Sequence, residues 1–130
     1  MGRNAQGRER PPRPRERRLG GAVHVRLPIR GGDETNPEEL IGAAEAGCFS
    51  MALALGLEEA GYAPERIHTE ASVHLDADAL EIDRIDLRVE GEVPDADADA
   101  FREQAAEAKE NCPVSKALAG PAIDLTAELL

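Results

Sequence analysis

Aromatic side chains are scarce. The 130 residues include no Trp, one Tyr (Tyr62) and two Phe (Phe49 and Phe101). Proteins that hold single-stranded nucleic acid stack its bases on such rings, so that class of function has little support. Cysteine is limited to Cys48 and Cys112, with no CxxC pair, and His24, His68 and His74 show no ligand spacing to either thiol. No metal site and no bound cofactor are expected. Nothing reads as a transmembrane run, and the N-terminal arginines are not followed by the apolar stretch of a secretory leader. A cytoplasmic setting is therefore expected, where two thiols are reactive, metal-binding or inert rather than a structural staple.

Length and charge are more informative. A chain of this size makes one domain with a core, small enough that dimerisation would help to cover apolar surface. The net charge of −11 conceals two regimes. Residues 1–31 carry nine Arg against two acidic residues, and residues 32–130 carry 24 Asp or Glu against six Lys or Arg, a balance of −18. Such an acid excess fits a solvated surface, and more specifically a halophile, whose high internal salt screens the self-repulsion.

Residues 1–20 have no periodicity and almost no apolar content, so disorder is expected there. As a nucleic-acid arm this segment is poorly equipped. It has Arg without Lys or aromatics, and it is joined to an acidic body that phosphate would avoid. Residues 22–29 (AVHVRLPI) alternate as a short strand that Pro28 limits to an edge or end. Asn36, Pro37 and Glu39 then make a helix start: a cap, a first-turn proline and a carboxylate three residues after the cap. The helix should run from Pro37 to about Ala60 and stop at Gly61. Leu40, Ile41, Ala44, Gly47, Cys48, Met51, Ala52 and Leu55 recur at helical spacing and are the expected buried face. Ala43, Ala44, Ala46 and Gly47 leave room around Cys48 for another segment to approach.

Two alternating stretches follow, 66–75 with Ile67, Thr69, Ala71, Val73 and Leu75 on one face, and 81–93 with Ile82, Leu87, Val89 and Val93. A turn between them makes a hairpin. Phe101, Ala105 and Ala108 mark a second helix ending near Asn111, CPVSKAL a short third helix, and AIDLTAELL a closing strand. Helix, two strands, two helices and a strand is an α+β order rather than a βαβ winding.

The two thiols are the residues with chemistry to offer. Cys112 precedes Pro113 at the start of the short third helix, where the helix dipole favours a thiolate. Cys48 is deeper in its helix, so activation must come from neighbours. Glu45, one turn earlier, would raise its pKa. On this ground a pair of inert thiols and a redox pair both stand open. His68 and His74 fall on strands, as surface or partly buried residues, and Glu38 and Glu39 complement the helix dipole.

NPEELIGAAEAGCFSMAL, a hairpin and then KENCPVSKAL resemble the OsmC/Ohr family, closer to its OsmC branch, over residues 32–130. The resemblance implies a thiol peroxidase acting on organic hydroperoxides and, less well, on hydrogen peroxide. It implies a long helix packed against antiparallel strands, in an intertwined homodimer with both active sites at the subunit interface. Cys48 corresponds to the peroxidatic thiolate, which becomes a sulfenic acid, and Cys112 to the resolving thiol. Glu38, ten residues before Cys48, corresponds to the glutamate that holds the family's activating arginine. A dithiol, lipoyl-type in one branch, would reduce the resulting disulfide. At position 45 the family often has His or Tyr where this chain has Glu.

Residues 1–31 depart from that family, whose members enter NPEEL from antiparallel strands that supply the arginine in a Ser-Arg-Phe-Glu type context. The codons for Ala22–Arg30, read one nucleotide later, permit Pro-Phe-Thr-Phe-Ala-Ser-Arg-Phe-Glu. A frame-shifted reading of the family's N-terminal strands is thus one expectation for residues 1–31. It brings an alternative to the peroxidase: a catalytically impaired member lacking the activating arginine, unless Arg26 or Arg30 takes its place.

Overall fold

The computed structural model describes residues 22–26 and 36–130. The expected disorder of residues 1–20, the strand's continuation over 27–29 and the position of Arg30 lie outside the described residues. The elements are β1 (Ala22–Arg26), α1 (Pro37–Glu59), β2 (Arg66–Asp76), β3 (Glu81–Glu92), α2 (Ala98–Asn111), α3 (Pro113–Ala117) and β4 (Ala122–Leu129). The mixed α and β order expected from the sequence is observed, but the exclusion of βαβ winding is not: β1-α1-β2 and β3-α2-α3-β4 each join parallel neighbours through a helical crossover. This is a pairing between distant strands that element order alone does not reveal.

The start of α1 is built as its residues suggest. The Asn36 side chain accepts the Glu39 backbone N–H at 2.9 Å, and Pro37 occupies the first turn. At the other end Ala60 caps the helix and Gly61 takes φ +93°, a left-handed turn that suits glycine. Asp97 caps α2 through the Ala100 N–H at 2.7 Å.

The four strands form one sheet in the order β1-β2-β3-β4, with β2 and β3 antiparallel and the outer strands parallel to their neighbours. The pleat sorts the residues by face. Ile67, Thr69 and Ala71 of β2 lie opposite Gly91, Val89 and Leu87 of β3, which in turn lie opposite Leu129, Ala127 and Leu125 of β4. These rows form the floor of the core. The other face carries complementary charge: Arg66 beside Glu92, Arg84 beside Asp86, and Arg88 between Glu90 and Glu128. These pairs are half-exposed, and each contributes about 0–1 kcal/mol. They keep this face solvated.

One bulge breaks the alternation of β3. His74 pairs with Arg84 but Leu75 with Ile82, so Asp83 is the extra residue. Ile82 and Ile85, three apart in sequence, therefore share the core side. The turn beside the bulge is closed by Asp76, whose side chain accepts the backbone N–H groups of Asp78 and Ala79.

The helices cover the inner face. Phe49, Leu53 and Leu57 of α1 are wholly buried together with Ile67, Ile85, Leu87 and Val89. Gly42 lets α1 approach β2, since a Cβ there would sit 3.3 Å from Val73 Cγ2. On α2, Phe101, Ala105 and Ala108 are buried as expected, and the Phe101 ring rests on Gly91 of β3.

The buried face of α1 is not the one the spacing predicts. Gly42, Glu45, Ala46, Phe49, Ser50, Leu53, Ala54 and Leu57 are buried. On the expected face Leu40, Met51 and Leu55 are 58, 57 and 48% exposed. The helix is apolar nearly all round, so periodicity alone does not select a face. Bulk decides, because Phe49, Leu53 and Leu57 fill the space above the sheet and a stripe of Ala and Gly does not. By length and composition α1 could also cross a membrane. Packed on the sheet and on α2, it is the core helix of the domain.

Candidate functional site

Cys48 lies midway along α1, half-buried, on the edge of the open apolar face. Cys112 is fully buried at the joint between α2 and α3. Its N–H closes the last turn of α2 on Ala108 O at 2.9 Å, and its C=O accepts the Lys116 N–H at 3.1 Å to open α3. This joint brings Cys112 against α1, where its side chain lies close enough to that of Cys48 to act on it. Both thiols are free.

The setting of Cys48 favours the thiol over the thiolate. Burial is the main cause that pushes its pKa above the ordinary cysteine range. The neighbouring Cys112 adds to this, and the charge of Glu45 acts in the same direction. One group opposes them. The backbone N–H of Val114, in the first turn of α3, donates to Cys48 and favours the anion. The helix start that sequence reasoning assigned to Cys112 thus donates to Cys48.

Beside Cys48 opens a cavity of about 1050 Å³ between α1 and α2, lined by Ala44, Gly47, Met51 and Leu55 and rimmed by Gln104 and Pro113. Gly47 has no atom within 4 Å of where a Cβ would stand. The room expected around Cys48 is therefore present, as an open groove and not as a close contact.

Glu38 is elsewhere. It lies in the first turn of α1, in a separate hollow with Asn36, Gly42 and His74. Ten helical residues separate it from Cys48, about 15 Å along the axis. The structure joins the two cysteines and leaves Glu38 apart from them. His68 and His74 are partly buried on the outer sheet face, with His74 Nε2 2.7 Å from Asp86 Oδ2. Among the described residues no group of three or more His, Cys, Asp and Glu side chains is placed to hold a metal ion.

Glu45, expected one turn before Cys48, has a partner that the sequence does not announce. Glu45 is wholly buried, and the Ser115 hydroxyl donates a hydrogen bond to its Oε1. Its Oε2 is buried without a partner. Burial raises the Glu45 pKa and the Ser115 bond lowers it, with burial the larger effect. Glu45 and Ser115 are 70 residues apart, and no local pattern marks them as a pair.

Comparison with known proteins gives a consistent family. The family model described as OsmC-like protein matches residues 30–128. The peroxiredoxin OsmC of Escherichia coli (strain K12) is 53% identical over 92 residues, as is that of Shigella flexneri. That match covers 69% of this chain and 64% of each relative, so it spans less than two thirds of their length. Among solved structures, the organic hydroperoxide resistance protein OhrB of Bacillus subtilis is 30% identical with a TM-score of 0.56, over 76% of this chain and 73% of that one. An OsmC-like protein from Mycoplasma pneumoniae shares the fold at a TM-score of 0.68 and 15% identity, over 76% of this chain and 74% of that one. The family match takes in α1, the β2–β3 hairpin and both cysteine-bearing segments, and the chain belongs to the OsmC-like protein family.

Proposed function

We propose that the chain is a thiol-dependent peroxidase for organic hydroperoxides and hydrogen peroxide, with Cys48 as the peroxidatic and Cys112 as the resolving cysteine. The observation that carries this reading is the neighbouring pair itself: two free thiols from distant elements, one half-exposed beside an apolar groove. The Cys48 thiolate attacks the distal peroxide oxygen, the O–O bond breaks, and the alkoxide leaves and takes up a proton as the alcohol. The sulfenic acid on Cys48 is then attacked by Cys112, giving a disulfide and water. A dithiol reductant, lipoyl-type by family resemblance, returns both thiols. The names of the similar proteins, a peroxiredoxin and an organic hydroperoxide resistance protein, support this reading. The Ala, Met and Leu lining of the groove suits the alkyl part of a hydroperoxide.

Two further elements belong to the proposal. The exposed apolar face of α1, with Leu40, Met51 and Leu55, is the surface on which a second copy would dock to form a homodimer. Glu38 anchors an arginine that lowers the Cys48 pKa and stabilises the departing alkoxide.

A second reading, the catalytically impaired member, draws on one specific observation. Among the described residues no cation offsets the burial that holds Cys48 protonated. A lost or gained base in the gene upstream of NPEEL would have removed the arginine that does so. Sequencing across that junction tests this reading, and an uninterrupted, verified frame refutes the frame shift. The peroxidase is tested by mixing the reduced chain with one equivalent of cumene hydroperoxide and counting thiols. Loss of two thiols with formation of a Cys48–Cys112 disulfide supports it, and oxidation no faster than that of free cysteine overturns it.

A further inference from the structure

A fully buried carboxyl group needs a reason. The residues on either side of Glu45 in α1 are Ala44 and Ala46, and an apolar residue would occupy this place without the cost of desolvating a carboxyl. Among the described residues the Glu45 carboxyl has one hydrogen-bond partner, Ser115 of α3. The second oxygen has no partner, so the Ser115 contact is the polar interaction that holds the carboxyl in place.

That contact spans the same two segments as the thiol pair. Glu45 and Cys48 are one turn apart on α1, while Ser115 and Cys112 are three residues apart across the first turn of α3. With five residues, α3 is too short to hold its own position. Pro113, Lys116 and Ala117 are exposed, and Ser115 is the buried residue of α3. A shift of α3 would carry Cys112, its capping residue, away from Cys48. It would also withdraw the Val114 N–H that Cys48 receives.

We propose that Glu45 is a positioning residue that clamps α3 to α1 through Ser115 and so holds Cys112 within reach of the sulfur of Cys48. The proposal concerns attack by Cys112 on an activated Cys48, and in the peroxidase it rests on the reading given above. In that setting the Cys112 sulfur is oxidised as the S–S bond forms. The Cys48 S–O bond breaks, the sulfenic sulfur is reduced, and the departing hydroxide takes the thiol proton as water. Glu45 touches neither sulfur in this step; it fixes the distance.

A disulfide reagent tests the clamp without relying on peroxide reactivity. With Ellman's reagent the half-exposed Cys48 reacts first and releases one thionitrobenzoate. Cys112 then displaces the second as the Cys48–Cys112 disulfide closes. The full chain is compared with Glu45→Ala, Glu45→Gln and Ser115→Ala. The second release should slow about tenfold or more in Glu45→Ala and Ser115→Ala, because a small misplacement of reacting atoms is expensive in an intramolecular step. Glu45→Gln, which keeps an uncharged acceptor for Ser115, should restore it to within about threefold. The first release follows the Cys48 thiolate, which Glu45 and the start of α3 both influence, so it is measured alongside and the second release is compared on its own first-order rate. Second release at the full-chain rate in Ser115→Ala overturns the proposal, as does Glu45→Gln being as slow as Glu45→Ala. If Glu45→Ala does not fold, Ser115→Ala against Glu45→Gln decides alone. A chain that passes this test but ignores cumene hydroperoxide would refute the peroxidase and leave the clamp standing.

Discussion

Ser50 and Thr69 pin α1 to the sheet, and the strength of that bond follows from where it lies. The two hydroxyls are wholly buried and 2.6 Å apart, two residues along the helix from Cys48. Neither is open to water, so Ser50→Ala leaves the Thr69 hydroxyl buried without this partner at a cost of about 1–3 kcal/mol. Thr69→Val leaves Ser50 in the same position, with a side chain of nearly the same shape. Removing both takes away the polar pair together, and a matched apolar replacement of that kind is close to neutral. The double variant should therefore be more stable than the sum of the single losses predicts, by about 1 kcal/mol or more. With a urea slope of about 1–3 kcal/mol/M for a domain of this size, each single variant should lower the unfolding midpoint by roughly 1 M. Far-UV circular dichroism against urea measures all four members of the cycle. Strict additivity would mean that the two hydroxyls do not depend on one another, and would refute this account of how α1 is docked.

Three further outcomes are expected. Gly91→Ala places a Cβ 2.5 Å from Phe101 Cε2, and the buried ring has little room to yield, so the loss should be about 1–3 kcal/mol by chemical denaturation. A loss within 0.5 kcal/mol would show that α2 moves freely over the sheet. Cys112→Ala removes the neighbouring thiol that raises the Cys48 pKa. The thiolate forms as pH rises through that pKa, so the rate–pH curve for iodoacetamide alkylation of Cys48 should move to lower pH; an unmoved or upward-shifted curve contradicts the described contact. Met51→Lys combined with Leu55→Glu places charge on the exposed face of α1. If that face joins two copies, light scattering should show the mass halved at low micromolar concentration, and an unchanged dimer would place the interface elsewhere.

Where a local rule applied, the sequence was a good guide. Asn36, Pro37 and Glu39 start α1, Gly61 ends it, and Phe101, Ala105 and Ala108 face the core, because caps and helical spacing are short-range chemistry. The failures are long-range. Ile85 escaped the reading of β3 because the bulge at Asp83 shifts the alternation, and a bulge depends on pairing with β2. The buried side of α1 was misassigned because both sides are apolar and only the volume above the sheet distinguishes them. In the site, the helical placement of Cys48 and the entry of Cys112 into α3 were legible. The opposing influence of Glu45 on Cys48 followed from one helical turn of separation. The Ser115 contact did not, because it depends on how α3 folds back onto α1.

The central claim is that Cys48 and Cys112 act as a peroxide-oxidised pair. The direct measurement is stopped-flow consumption of cumene hydroperoxide by the reduced full chain and by Cys48→Ser, at high salt, followed by peptide mass analysis of the products. The account predicts rapid consumption of one equivalent, a disulfide joining the Cys48 and Cys112 peptides, and loss of both in Cys48→Ser. Consumption that is unaffected by Cys48→Ser, or no faster than with a free thiol, would contradict it.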